Sequence, residues 1–92
     1  MQASLIENLL PQIAVPAEGP LDSQRLFGDS RPLHLEIGMG AGEHLAWRAD
    51  LLPDHGFIGC EPFVNGMAQA LVHVRDGALG NVRLHMEDAR TV

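Results

Sequence analysis

The chain has 92 residues, a formal net charge of −6 at pH 7 and 46% hydrophobic residues, a composition typical of one small globular domain or of part of a larger one. Its basic residues are all arginines, and the acidic balance disfavours nucleic-acid binding by this segment alone. The single cysteine, Cys60, excludes an intrachain disulfide and favours a cytoplasmic location, and neither an export signal nor a membrane span is predicted.

The first 32 residues predict a short helix followed by a connecting arm. Residues 4–10 carry apolar side chains at helical spacing, and Pro11 interrupts that pattern. Between Pro16 and Pro32 the chain is rich in proline and glycine, which predicts an arm that lies over the molecule without contributing a core element. We therefore expect a boundary between residues 1–32, the N-terminal helix and arm, and residues 33–92.

Residues 33–92 predict three strands that alternate with two helices. Apolar alternation or short apolar runs indicate strands at residues 33–37, 56–60 and 82–86, and helical spacing indicates helices at residues 43–52 and from residue 64 to Gly77 or Gly80. This order, with right-handed crossovers, predicts a parallel sheet of the α/β class. Because three parallel strands with two helices leave a face and an edge uncovered, we expect the first half of a doubly wound domain.

A glycine-rich turn lies between the first strand and the first helix of this unit. In "LEIGMGAGEHL", residues 35–45, it carries Gly38, Gly40 and Gly42, which would allow a ligand to approach the backbone. Glu43 stands where a dinucleotide-binding fingerprint requires its third glycine, so that fingerprint does not match. Glu36 and Glu43 would repel a phosphate, and Glu36 would favour a positively charged ligand.

Three carboxylates fall at the ends of the three predicted strands, where doubly wound sheets bind their ligands: Glu36, Glu61 and Asp88. Glu61 suits the hydrogen bonding of ribose hydroxyls. Asp88 suits the exocyclic amine of adenine, whose ring would pack against apolar neighbours such as Cys60, Pro62 and Phe63. A glycine turn and acidic strand ends therefore suit a nucleoside that carries positively charged groups. S-adenosyl-L-methionine is such a ligand.

The stretches "LEIGMGAGEHL", "FIGCEPFVNGMAQAL" and "NVRLHMEDAR" resemble the opening motifs of the bacterial tRNA (guanine-N7-)-methyltransferases, which modify a guanine in the tRNA variable loop. The resemblance runs from about residue 4 to residue 90 and implies a Rossmann-like, S-adenosylmethionine-dependent methyltransferase fold, of which the first three strands are present. Carried over by position, Glu36, Glu61 and Asp88 match the cofactor contacts of that family. The predicted cofactor site comprises Glu36, Gly38, Gly40, Gly42, Glu61, Pro62, Asp88 and Ala89.

The same resemblance implies that the catalytic aspartate and the basic tRNA-binding surfaces lie outside these 92 residues. The catalytic residues are expected beyond Val92. We therefore expect the 92-residue chain alone to bind tRNA weakly or not at all and to show no methyl transfer.

Three other functions fit parts of the sequence. One is a Rossmann methyltransferase that acts on a small molecule or a protein, and another is a nicotinamide-dinucleotide domain, which the missing third glycine disfavours. The third is a non-catalytic folding or interaction module, for which an exposed first-strand edge predicts self-association. The five histidines lack a metal-ligand spacing, so no metal site is predicted, and Trp47 is interpreted as a packing residue.

Overall fold

A parallel three-stranded sheet lies at the centre of the computed structural model, which describes residues 2–16, 19 and 21–86. The elements are α1 (Gln2–Asn8), α2 (Leu10–Ile13), α3 (Ser23–Phe27), β1 (Leu33–Ile37), α4 (Glu43–Leu51), β2 (Gly56–Cys60), α5 (Val64–Gly77) and β3 (Val82–His85). The strands pair in the order β1-β2-β3, and the sheet is not closed. The predicted α/β class, with strands and helices alternating from β1 to β3, is confirmed.

The three strands end level with one another. Ile37 pairs in register with Cys60, and Cys60 pairs with His85. Because parallel strands run in one direction, the residues that follow them meet at one edge, which we call the carboxyl edge. The glycine turn, Glu61 and Met86 therefore lie at this edge.

Helices α1, α4 and α5 lie on one side of the structure, where the main hydrophobic core forms. Phe57, Met67, Leu71 and Leu84 are completely inaccessible to solvent there, and Leu45 of α4 is nearly so. Burial of a side chain of this size contributes roughly 1.5–3 kcal/mol. This packing holds the start of α4 and the start of α5 against the sheet, next to the carboxyl edge.

The arm contains a helix that the sequence analysis did not predict. Asp22 caps α3 because its side chain accepts a hydrogen bond from the backbone N–H of Arg25 at 2.8 Å, and Gly28 ends the helix with a left-handed backbone. Leu26 of α3 is buried in a small cluster with Val15 and Ile58. The expectation that the arm contributes no core element is therefore wrong, because its prolines and glycines conceal a five-residue helix.

In the C-terminal half of β1, the face opposite Glu36 is largely exposed to solvent. Leu35 and Ile37 are 52% and 65% exposed, although the alternating pattern of β1 is that of a half-buried strand. Among the described residues, β1 pairs only with β2, so its other edge is open. No helix in the described part of the chain is both long and apolar enough to cross a lipid bilayer.

Candidate functional site

The turn that joins β1 to α4 has three glycines in the left-handed region of backbone conformation. The φ angles are +67° at Gly38, +61° at Gly40 and +78° at Gly42. A residue with a Cβ atom would destabilise such a conformation by roughly 1–2 kcal/mol at each position. Positive φ angles occur at every second residue of the turn, which explains why the glycines follow the G-x-G-x-G spacing.

The backbone amides of this turn donate to oxygen atoms of the protein itself. The N–H groups of Gly38 and Met39 both donate to the carbonyl of Cys60, at 2.9 and 3.2 Å. The N–H of Gly40 donates to Oε1 of Glu61 at 3.0 Å. These three amides are consequently not arranged to cradle a phosphate, which would need them as donors.

Glu61 connects the turn to the start of α5. The residue is 6% exposed, and its second carboxylate oxygen, Oε2, accepts a hydrogen bond from the N–H of Phe63 at 3.2 Å. The backbone of Glu61 continues the sheet, because its N–H donates to the carbonyl of His85 at 3.0 Å. Each carboxylate oxygen can accept a further hydrogen bond, so the group can hold the turn and still receive a ligand hydroxyl.

Glu36 lies on the α4 side of β1 and has a partner within the protein. Its Oε1 lies 2.9 Å from Nδ1 of His44, in the first turn of α4, and the Glu36 side chain remains 26% exposed. No spacing in the sequence indicates this pair, because its two residues belong to different elements. Glu43 is the first residue of α4, where its negative charge interacts favourably with the positive end of the helix dipole.

An exposed apolar rim lies beside Glu61. Pro62, Phe63 and Val64 are all exposed, Phe63 by 72%. Cys60 is buried in the core, so the expectation that it faces an adenine ring is wrong. Helix α5 begins at Val64, as predicted, with Phe63 as its N-cap, so Pro62 lies just before the helix. Two predicted site residues, Asp88 and Ala89, lie outside the described residues.

Gly66 is a residue of the site that the sequence analysis missed. A Cβ atom at Gly66 would lie 2.8 Å from the carbonyl oxygen of Gly40 and 3.1 Å from Cγ of Glu61. One turn later on α5, Ala70 approaches Gly42 closely, since a Cβ atom on Gly42 would lie 2.8 Å from that of Ala70. The available signal was a glycine inside a helical apolar pattern, which usually has a packing or functional reason.

A cleft of about 580 Å³ lies between α4 and α5, and neither the turn glycines nor Glu61 line it. Trp47 is one of its lining residues and is 60% exposed, so its interpretation as a packing residue is wrong. The glycine turn and Glu61 at the carboxyl edge are therefore separate from this cleft. Within residues 2–16, 19 and 21–86, no three His, Cys, Asp or Glu side chains are grouped so that they could hold a metal ion.

Comparison with known proteins places these features in a family. A family model described as "Putative methyltransferase" matches residues 30–92. Proteins named tRNA (guanine-N(7)-)-methyltransferase are similar to 99% of this chain at 62% identity in Sphingopyxis alaskensis and 58% in Novosphingobium aromaticivorans, and to 96% of it at 52% identity in Zymomonas mobilis.

The chain spans only about 40% of the length of these relatives. The resemblance found in the sequence motifs is nevertheless confirmed, since the matches cover nearly the whole chain. The family model covers all three strands, the glycine turn and Glu61. This chain therefore belongs to that methyltransferase family.

Proposed function

We propose that this chain binds S-adenosyl-L-methionine at the carboxyl edge and is the cofactor-binding part of an enzyme that methylates guanine N7 in the variable loop of tRNA. Relatives that match nearly the whole chain carry the name of that activity. Such an enzyme would act in the cytoplasm, where tRNA is modified. The cofactor supplies a methyl group on a positively charged sulfur, and N7 of guanine has a lone pair that needs no base to release it.

The hydrogen bond between Gly40 and Glu61 carries this proposal. In a dinucleotide-binding turn, backbone amides face a pyrophosphate, which a nearby carboxylate would repel. Here the carboxylate of Glu61 accepts from the Gly40 amide. The turn therefore favours a nucleoside ligand that brings no phosphate, and the net charge of −6 favours a ligand with positive charge.

The surroundings of Glu61 fit the adenosine part of such a ligand. The free lone pairs of Glu61 can accept hydrogen bonds from ribose hydroxyls, each worth roughly 1.5–3 kcal/mol because the acceptor is charged. Phe63 and Pro62 offer an exposed apolar surface beside the carboxylate for the purine ring. Asp88 and Ala89 complete the proposed adenine contacts.

Glu36 is proposed to attract the cationic methionine end of the ligand. Its contact with His44 fixes the carboxylate on the α4 side of β1, at the start of the glycine turn. The side chain is partly exposed, so it can accept from a ligand ammonium group without breaking the sheet. Orientation of the reacting groups is then the main contribution of these residues to the reaction.

Two of the described arginines support the expectation that this segment contributes little to tRNA binding. Arg31 pairs with Asp29 at 2.7 Å, and this guanidinium lowers the pKa of the Asp29 carboxyl to about 2. Arg75 likewise pairs with Asp76 at 3.0 Å. Because neighbouring carboxylates partly neutralise these two charges, the two arginines offer little attraction to phosphates.

Calorimetry on the 92-residue chain tests the cofactor proposal. We expect S-adenosylhomocysteine to bind and NAD not to bind, because only NAD brings a pyrophosphate to the turn. Binding of NAD alone would favour the nicotinamide-dinucleotide alternative. Binding of neither ligand would favour a non-catalytic module.

A radiolabelled methyl-transfer assay on unmodified tRNA tests the reaction. The 92-residue chain is expected to show no turnover, because the family resemblance implies that its catalytic residues lie beyond Val92. Robust transfer by this chain alone would contradict that division of roles. Transfer to a protein or a small molecule in place of tRNA would support the other methyltransferase alternative.

A further inference from the structure

We propose that Gly66 is a positioning residue that holds the glycine turn against Glu61, an inference that rests on the proposed cofactor function. Gly66 lies in the first turn of α5 and belongs to none of the predicted ligand contacts. Its importance comes from the close approach of the turn to α5. A side chain at this position would occupy the space in which the Gly40 peptide lies.

The geometry at Gly66 leaves no room for a methyl group. Its Cβ would lie 2.8 Å from the carbonyl oxygen of Gly40 and 3.2 Å from the carbonyl carbon of the same residue. Both atoms are backbone, so they cannot move aside as the end of a flexible side chain would. A third atom, Cγ of Glu61, would lie 3.1 Å away. A methyl group would therefore press on both partners of the Gly40–Glu61 hydrogen bond.

Helix α5 contacts the turn at two successive positions. Gly66 approaches Gly40, and Ala70, one helical turn later, approaches Gly42. Glycine in a helix interior is destabilising relative to alanine, so helix formation alone gives no reason for a glycine at position 66. The close approach of the Gly40 carbonyl supplies that reason. The N–H of the same residue, Gly40, donates to Oε1 of Glu61 at 3.0 Å.

Gly66→Ala, with Gly77→Ala as its matched control, tests this inference in the 92-residue chain. Both changes add one methyl group to a glycine of α5, but at Gly77 the nearest atoms belong to the flexible side chain of Leu79, at 3.1–3.6 Å. We expect the Gly40 amide to exchange its hydrogen at least tenfold faster in Gly66→Ala. The N–H of Phe57 donates to the carbonyl of Asn81 in the core, and it should exchange at its wild-type rate.

Affinity for S-adenosylhomocysteine, measured by calorimetry, gives the second readout. We expect at least tenfold weaker binding in Gly66→Ala and unchanged binding in Gly77→Ala. Loss of the folded state in Gly66→Ala, or equal acceleration at Gly40 and Phe57, would make Gly66 a core residue and overturn the inference. Wild-type exchange at Gly40 or wild-type affinity would overturn it as well.

The two proposals fail in different ways. If the wild-type chain does not bind S-adenosylhomocysteine, the proposed cofactor function is wrong. The exchange rates of the Gly40 and Phe57 amides then still decide whether Gly66 positions the turn, because they require no ligand.

Discussion

The carboxylate of Glu61, directly after β2, accepts a hydrogen bond from the backbone N–H of Gly40, in the turn after β1. The donor nitrogen and acceptor oxygen are 3.0 Å apart. The two residues are 21 positions apart in the chain and meet because β1 and β2 are parallel neighbours. This bond joins the two segments that are proposed to hold the cofactor. Its removal should therefore affect both stability and binding.

Glu61→Gln is expected to destabilise the fold and to weaken ligand binding. The amide side chain can present an oxygen to only one of the two backbone donors, so either Gly40 or Phe63 loses its acceptor, at about 1–3 kcal/mol. Urea unfolding and calorimetry with S-adenosylhomocysteine measure the two effects. Glu43→Gln is the control, because that exposed carboxylate at the start of α4 should change stability by only about 0.3–1 kcal/mol. Equal effects of the two changes would contradict the role given to Glu61.

Gly42→Ala is expected to destabilise the fold more than Gly38→Ala. Both glycines have left-handed backbones, so both changes should cost about 1–2 kcal/mol from conformation alone. Only at Gly42 would the new methyl group also contact the protein, 2.8 Å from Cβ of Ala70, whereas the space at Gly38 is open. Urea unfolding of both variants isolates the effect of that contact. Equal losses would mean that the turn moves freely away from α5.

Asn81→Asp is expected to be strongly destabilising at pH 7. Nδ2 of the buried Asn81 lies 2.9–3.1 Å from the carbonyl oxygens of Ala49, Leu52 and His55. Its two hydrogens, shared among these acceptors, hold the end of α4 and the loop before β2 against the start of β3. A carboxylate would place negative charge against three carbonyl oxygens and satisfy none of them. We expect a loss of at least about 1–3 kcal/mol in urea unfolding. Asn65→Asp, at an exposed position of α5, should change stability little.

The stability of the chain is expected to fall on mild acidification because of His34. Burial, together with the charge of Arg48 and the neighbouring His55, lowers the pKa of His34 below its ordinary value of 6.5. As the pH falls through 6.5, the unfolded chain takes up a proton that folded His34 does not, so the free energy of unfolding decreases. Nε2 of His34 lies 2.9 Å from Nδ1 of His55, a contact that two protonated rings could not keep.

Urea unfolding at pH 7.5, 6.5 and 5.5 measures this pH dependence. His34→Gln keeps a polar group at the position but cannot take up a proton there. The decrease in stability between pH 7.5 and 5.5 should therefore be smaller in this variant than in the wild type. The same decrease in both proteins would assign the effect to another group.

The 92-residue chain is expected to self-associate through β1. One edge of β1 is open in the described sheet, and Leu35 and Ile37 beside it are exposed. Ile37→Lys should reduce concentration-dependent association in sedimentation velocity, because a charged side chain opposes edge-to-edge pairing. Leu51→Lys, which removes a similarly exposed apolar side chain from α4, should leave association unchanged. Association that responds to Leu51→Lys in place of Ile37→Lys would place the contact on the helices.

Local sequence patterns predicted the strands and the longer helices, but not helix α3 or the exposure of Trp47. The alternation of β1 and the spacing of α5 are short-range properties, and both elements were predicted close to their observed bounds. Helix α3 was missed because its five residues lie between prolines and glycines, and its cap at Asp22 is a single contact. The exposure of Trp47 depends on what packs around α4, which helical spacing does not reveal.

By itself, the sequence determined the strand and helix order, the three glycines of the turn and the positions of Glu36 and Glu61 near the ends of the first two strands, because these depend on residue type and spacing along the chain. Only the tertiary structure decided that Glu61 receives the Gly40 amide, that His44 contacts Glu36 and that α5 presses on the turn at Gly66. Those relationships join segments that are distant in the chain. They arise from the parallel register of the strands and from the packing of helices on the sheet, which no local pattern encodes.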